Sequence, residues 1–210
     1  MLFGFNFKHW ARCTLKKSNL FPFFLYLHKK RGKFNSKRSE FFQGLKFYLY
    51  NNLVSYLPIH LVRNLFLRHI LGIKIGKFSF VHMGSRFQGT ISIGNHSVIG
   101  RNCVLLGDIT IKNNVSITAE TYIFTSSHIV NSAYFECFYT KVVIEDYAWI
   151  GARAMILPGV RIGKGAILGA MSIATKNIPD YSIFAGNPAK EIGQREKELA
   201  YKLAYSPYFE

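Results

Sequence analysis

Residues 73–123 read IKIGKFSFVHMGSRFQGTISIGNHSVIGRNCVLLGDITIKNNVSITAETYI, and residues 142–178 read VVIEDYAWIGARAMILPGVRIGKGAILGAMSIATKNI. Counting in sixes from Ile75 gives Val81, Phe87, Ile93, Ile99, Leu105, Ile111, Ile117 and Ile123; from Ile144 it gives Ile150, Ile156, Ile162, Leu168 and Ala174. Fourteen of these fifteen positions hold a large apolar side chain. A second column two places earlier, from Ile73 and Ser79 through Cys103 to Ile178, is small or β-branched throughout and never charged. Helices repeat at 3.6 residues and strands at 2, so neither alone yields a period of six. A three-sided prism does: short strands alternate with corners, the large aliphatic fills the interior, and the small residue packs where the wall bends. Fifteen hexapeptides, three to a coil, predict about five coils stacked as a solenoid. Glycine follows the first column at Gly76, Gly94, Gly100, Gly151, Gly163 and Gly169. The expectation there is a corner that needs positive φ.

The repeat breaks once, between Ile123 and Ile144, a gap of 21 residues that is three out of register. The segment TSSHIVNSAYFECFYTK, Thr125 to Lys141, is therefore predicted to protrude as a loop, and loops on rigid scaffolds are where function tends to be placed. It contains His128, the only histidine after His96.

The whole chain has 210 residues, 49% hydrophobic and 18% charged, which excludes intrinsic disorder and leaves room for one domain with an appendage. Its formal charge of +16 points to an anionic partner. The charge is uneven: residues 1–72 carry 13 Lys/Arg against Glu40 alone, and 16 of the 33 aromatics, Phe3, Phe5, Phe7 and Trp10 among them. Three cysteines without a CxxC or Cys/His cluster predict neither a disulfide framework nor zinc, and a reducing compartment is the default. Cys103 falls in the small-residue column and is read as core. Cys137 is read as structural, because no second histidine stands near it in the sequence. No signal-peptide pattern or bilayer-spanning apolar run is found.

Several motifs carry a resemblance over residues 73–192. They are Trp149-Ile150-Gly151, Leu157-Pro158-Gly159-Val160, Ala174-Thr175-Lys176 with Ile178-Pro179, and Gly186-Asn187-Pro188-Ala189-Lys190. Together with the hexapeptide column, this text resembles the maltose and galactoside O-acetyltransferase group of hexapeptide-repeat acyltransferases. The resemblance implies a left-handed parallel β-helix, a homotrimer, acetyl-CoA as co-substrate and no metal. It implies that His128 is the catalytic base and that Trp149, Ala152, Gly169, Ala170, Thr175, Lys176 and Lys190 meet the cofactor. A backbone N–H near Gly151 or Ala152 is the candidate oxyanion donor by family position. Gly169 and Ala170 also satisfy the corner rule, and Lys176 and Lys190 also suit a solvated surface.

The chemistry is consistent with such residues. A sugar hydroxyl needs a base that is free near neutral pH, which an imidazole of reference pKa about 6.5 provides. The family often has proline or aspartate directly after the histidine, whereas here Ile129 follows, so the group orienting His128 is open, with Glu120 and Glu136 as candidates. The family's acceptor-sugar asparagine is replaced by Val98, with Arg101 and Asn102 nearby. The resemblance implies a sugar or lipid-linked saccharide as acceptor, in surface or capsular polysaccharide biosynthesis, without identifying it. Rival readings are a non-catalytic scaffold, an acyltransferase for a non-sugar small molecule, and a carbonic anhydrase, whose three-histidine zinc site has two ligands five apart that this chain lacks.

Residues 1–72 are expected to form a helical N-terminal segment, with helices at 41–57 and 58–71, Pro58 in the first turn of the second and Gly72 just beyond its end. Such helices would cap the open solenoid. Residues 1–40, mixing phenylalanine with lysine, suggest peripheral contact with an anionic membrane, against a purely compositional origin; no nucleic-acid module is recognisable. Localisation is expected to be cytoplasmic, at the inner membrane face. Residues 191–210 are expected to form a short C-terminal helix.

Overall fold

The computed structural model describes residues 35–205, with side chains from Arg38 onward. The expectation for residues 1–40 falls almost wholly outside this range, as does that for 206–210.

The repeat folds as a left-handed parallel β-helix with five complete coils and the start of a sixth. One wall stacks β1 (Lys74–Ile75), β4 (Ile91–Ile93), β7 (Ile109–Ile111), β12 (Val142–Ile144) and β15 (Arg161–Ile162). The second stacks β2 (Phe80–Val81), β5 (Val98–Ile99), β8 (Ser116–Ile117), β13 (Trp149–Ile150), β16 (Ile167–Leu168) and β18 (Ser182–Ala185). The third stacks β3 (Arg86–Gln88), β6 (Val104–Leu106), β9 (Tyr122–Phe124), β14 (Met155–Ile156) and β17 (Ile173–Ala174). All fifteen residues of the six-step column are buried, as is every member of the second column. Each fully buried Ile or Leu contributes roughly 1.5–3 kcal/mol.

The polar members of the second column also close the corners. Ser79 Oγ donates to Gly94 O and accepts from Ser97 N; Ser97 Oγ donates to Lys112 O and accepts from Val115 N. At one corner a ladder of carboxamides and carboxylates runs from coil to coil: Asn95 Oδ1 accepts from Lys77 N, Asn113 Oδ1 from Asn95 N, and Asp146 Oδ1 from Asn113 N, each at 2.8 Å. Cys103 is fully buried, and burial pushes its thiol up to about 11.

The six corner glycines have a different reason from the one expected. None has positive φ; that conformation falls two residues later, at Phe78, His96, Asn102, Arg153, Gly165 and Met171. The glycines are required by the next coil. A Cβ on Gly76 would stand 2.4 Å from Gly94 C, and one on Gly151 2.4 Å from Ala170 N.

The helical segment differs in its boundaries. α1 spans Asn35–Asn52, a 3₁₀ turn covers Val54–Tyr56, and α2 spans His60–Leu65, continuing as a π turn over Phe66–Ile70. Pro58 sets the break. It forces Leu57 into an extended conformation (ψ 132°) and so lies before α2 rather than in its first turn. Gly72, at φ 70°, follows as expected.

The cap supplies one side chain to each exposed edge of the first coil. Asn51 pairs with both backbone groups of Phe87 on β3, at 2.9 Å each. Arg63, fully buried, donates to Val81 O on β2 at 3.2 Å and to Leu57 O. Arg68 donates to Gly76 O beside β1 at 3.2 Å. Unpaired edge groups are thereby satisfied.

The expected C-terminal helix is replaced by a strand and an extended strap. β19 (Lys190–Gln194) pairs antiparallel with β18, and residues 195–205 have no regular structure. Arg195 donates to Tyr147 O and Gly165 O, Leu203 N donates to Asn114 Oδ1, and Tyr205 packs edge-on against Phe80. The strap descends one corner of the solenoid. Hydrogen bonds to fixed corners outweigh the helix propensity of REKELAYKLA.

Candidate functional site

The excursion at 125–141 is an antiparallel hairpin, β10 (Ser126–His128) and β11 (Cys137–Tyr139). It leaves the wall where Thr125, buried, is held by Thr140 N donating to its carbonyl at 2.8 Å and by Asp108 N donating to its Oγ1. The pairing register puts Ser127 opposite Phe138 and His128 opposite Cys137.

This hairpin fixes the His128 ring. Its Nδ1 lies 3.0 Å from the carbonyl oxygen of Phe135, and the imidazole stacks flat on the Phe135 ring at 4.1 Å with an interplanar angle of 9°. A carbonyl only accepts, so Nδ1 carries the proton and Nε2 keeps its lone pair. The orienting group is thus a main-chain carbonyl. Neither carboxylate candidate serves: Glu120 pairs with Arg153 at 2.7 Å, and Glu136 accepts from Ser132 Oγ at 3.1 Å.

Cys137 has a histidine neighbour after all, His128 itself. Its Sγ is 3.3 Å from Nδ1 and 3.7 Å from Nε2. The sulfur is thus within hydrogen-bonding distance of the ring, nearest the nitrogen that faces the Phe135 carbonyl.

The seven residues matched to a cofactor role divide into two groups. Trp149 projects from β13, 47% exposed, with its Nε1–H donated to Thr118 Oγ1 at 3.2 Å. Ala152, Gly169 and Ala170 follow at the adjoining corner, where Ala119, Ala152 and Ala170 succeed one another in consecutive coils. This edge has no side chain longer than a methyl group at those positions. Thr175, Lys176 and Lys190 lie instead at the end of the solenoid remote from the helices. Thr175 and Lys176 follow β17, and the segment 186–189 leading to Lys190 is pinned over β17 by Ile173 N to Gly186 O and Ala189 N to Ile173 O. All three are exposed, and neither lysine forms an ion pair among the described residues.

Of the two oxyanion candidates, the Gly151 N–H is committed to Leu168 O at 2.7 Å. That of Ala152 donates to no other group among the described residues. Val98 and its neighbours lie three coils earlier than β16 on the second wall, beneath Ser116 and Trp149. No cluster of three or more metal-binding side chains occurs among the described residues. Two features of the site are silent in the sequence: the Phe135 carbonyl, which any residue would supply, and Thr118, which orients Trp149.

Comparison with known proteins agrees with this architecture. A family model described as bacterial transferase hexapeptide (six repeats) matches residues 141–175. The chain is 32% identical over 134 residues to WcaF of Escherichia coli K12, named for acetyl transfer in colanic acid biosynthesis; the match covers 62% of this chain and 74% of WcaF. Among solved structures, the hexapeptide-repeat acetyltransferase VCA0836 of Vibrio cholerae, complexed with acetyl coenzyme A, superposes with a TM-score of 0.67 at 25% identity, covering 79% of this chain and 92% of that one. A maltose O-acetyltransferase of Clostridium difficile gives 0.56 at 25% identity, covering 79% and 90%. The shared coils and the identity to WcaF over most of its length show that the chain belongs to the hexapeptide-repeat acyltransferases, as an acetyltransferase.

Proposed function

We propose that this protein transfers the acetyl group of acetyl-CoA directly to a hydroxyl of a sugar, in the making of a surface polysaccharide, with His128 as general base. The observation that carries the reading is the His128–Phe135 hydrogen bond, which assigns the proton of the neutral imidazole to Nδ1 and leaves the Nε2 lone pair to accept one from substrate. Nε2 takes the hydroxyl proton as the oxygen attacks the thioester carbonyl. The Ala152 N–H receives the oxyanion. Collapse expels the thiolate of coenzyme A, which recovers the proton from the imidazolium, and the acetyl ester remains on the sugar. No covalent acyl-enzyme is required.

The residues present suit the cofactor. The small-residue edge at Ala152, Gly169 and Ala170 admits an extended pantetheine arm against the wall, Trp149 borders it, and Lys176, Lys190 and Thr175 meet polar groups and phosphates. The names of WcaF and of the maltose O-acetyltransferase support a sugar acceptor in polysaccharide synthesis. A homotrimer, with His128 of one subunit at the seam with the next, is part of the proposal, as is a cytoplasmic position at the inner membrane face.

The test is thiol release from acetyl-CoA against free, nucleotide-linked and lipid-linked saccharides. His128→Ala should lower kcat by about 10²- to 10⁴-fold while the melting temperature holds. Wild-type turnover by a folded His128→Ala protein would overturn the assignment. No rise in melting temperature with saturating acetyl-CoA would favour a scaffold.

A further inference from the structure

The helical cap has two faces. One closes the first coil through Tyr50, Asn51 and Arg63; the other points away from the solenoid. On α1 the outward stripe is Phe41, Leu45 and Tyr48, spaced i, i+4 and i+7, with Phe41 66% and Tyr48 61% exposed. On α2 it comprises Leu61, 65% exposed, and Leu65, while Leu53 and Ile59 are exposed in the connection. A groove lined by Phe42, Lys46 and Ile70 joins α1 to the end of the π turn. Single apolar side chains on a surface need no explanation; exposed stripes on both helices of one cap mark a binding surface.

The charge around it selects the partner. From Phe41 to Gly107 the sequence has no Asp or Glu. Lys46, Lys74, Lys77 and Arg86 are exposed on the cap and first coil. A second copy of this chain would present the same basic face. Residues 1–34 carry eight Lys/Arg and no acid, so they too are repelled. An anionic bilayer satisfies both features, its headgroups taking the lysines and its acyl boundary taking the aromatic and leucine side chains. We propose that the outward face of α1 and α2 is a docking surface for an anionic membrane.

This surface lies in the cap, beyond the segment 1–40 considered from composition, and does not depend on the acetyl-transfer reading. It has a geometric consequence. The hairpin bearing His128 leaves the third coil, two strand spacings or about 10 Å beyond the first coil. With the thickness of the helical layer added, a saccharide carried on a membrane lipid would meet the hairpin about 20 Å above the bilayer.

The experiment is flotation of the full chain with vesicles of pure phosphatidylcholine or of equal parts phosphatidylcholine and phosphatidylglycerol. Binding is expected only to the anionic vesicles, and raising salt to about 0.5 M should weaken it. The variant Phe41→Ser/Tyr48→Ser/Leu61→Ser, changed only at exposed positions, should bind at least tenfold more weakly, with unchanged melting and unchanged transfer to a soluble acceptor. Wild-type partitioning of this variant would overturn the proposal, because residues 1–34 would then suffice. A changed oligomeric state in the variant would also overturn it, assigning the face to a second copy.

Discussion

The wall and the hairpin of this protein are held together by different means. Every inward residue of the wall is buried, each coil is hydrogen-bonded to the next, and corner side chains tie neighbouring coils. The hairpin from Ser126 to Lys141 contains no buried residue and rests on a three-residue register, the anchor at Thr125 and the stack of His128 on Phe135. The wall is thus a rigid platform whose removal of any one side chain is felt as stability. The hairpin carries little of that stability, and its geometry is spent on orienting one imidazole.

The sharpest way to break this contrast is His128→Ala, for which a loss of about 10²- to 10⁴-fold in kcat is expected with no change in melting. The complementary change is Ile117→Ala in the wall, which opens a cavity and should cost about 2–5 kcal/mol of stability while leaving turnover per folded molecule near wild type. Thermal or denaturant unfolding beside a thiol-release assay separates the two. A hairpin variant that melted early would show that the hairpin is part of the cooperative unit.

A third region extends the comparison to the cap. His60 stacks on Phe80 at 3.8 Å, and its buried Nε2 makes no hydrogen bond among the described residues. Burial first, then the charges of Arg63, His82 and Arg68, hold its pKa down at about 4, against an ordinary value of 6.5. Between those values the unfolded chain binds the proton that the folded chain refuses. Stability from this site is therefore complete above about pH 6.5 and declines as pH falls toward 4. Melting temperature against pH should show the decline, and His60→Phe should flatten it. The smallest effect is expected from Cys137→Ser. Because no step of the direct transfer uses the thiol, kcat should stay within about threefold, and a thousandfold loss would give it a chemical role after all.

Much of the architecture was legible in the sequence because a prism imposes one demand every six residues. The interior admits only large apolar side chains, and the corners admit only small ones, so Ile75 to Ala174 could be counted off, and the single failure of the count located the hairpin. The corner glycines were legible as corners but not in their reason. Their side of the turn has ordinary φ, and what excludes a Cβ is the coil above, a neighbour 18 residues away. The tail misled for a related reason: REKELAYKLA has the composition of a helix, yet an open sheet edge at β18 and fixed acceptors at Tyr147 and Gly165 draw it out as a strand and strap.

By itself, then, the sequence determined the coil, its repeat, the point where the chain leaves the wall and the histidine it carries there, since these are properties of residue type and spacing. Only the tertiary structure decided what aims that histidine, what closes the first coil and where the tail runs. In each case one partner is a backbone carbonyl or N–H that every residue possesses. Which of them meets Nδ1 of His128, the guanidinium of Arg63 or the amide of Asn51 is set by pairing register and packing, which no residue identity encodes.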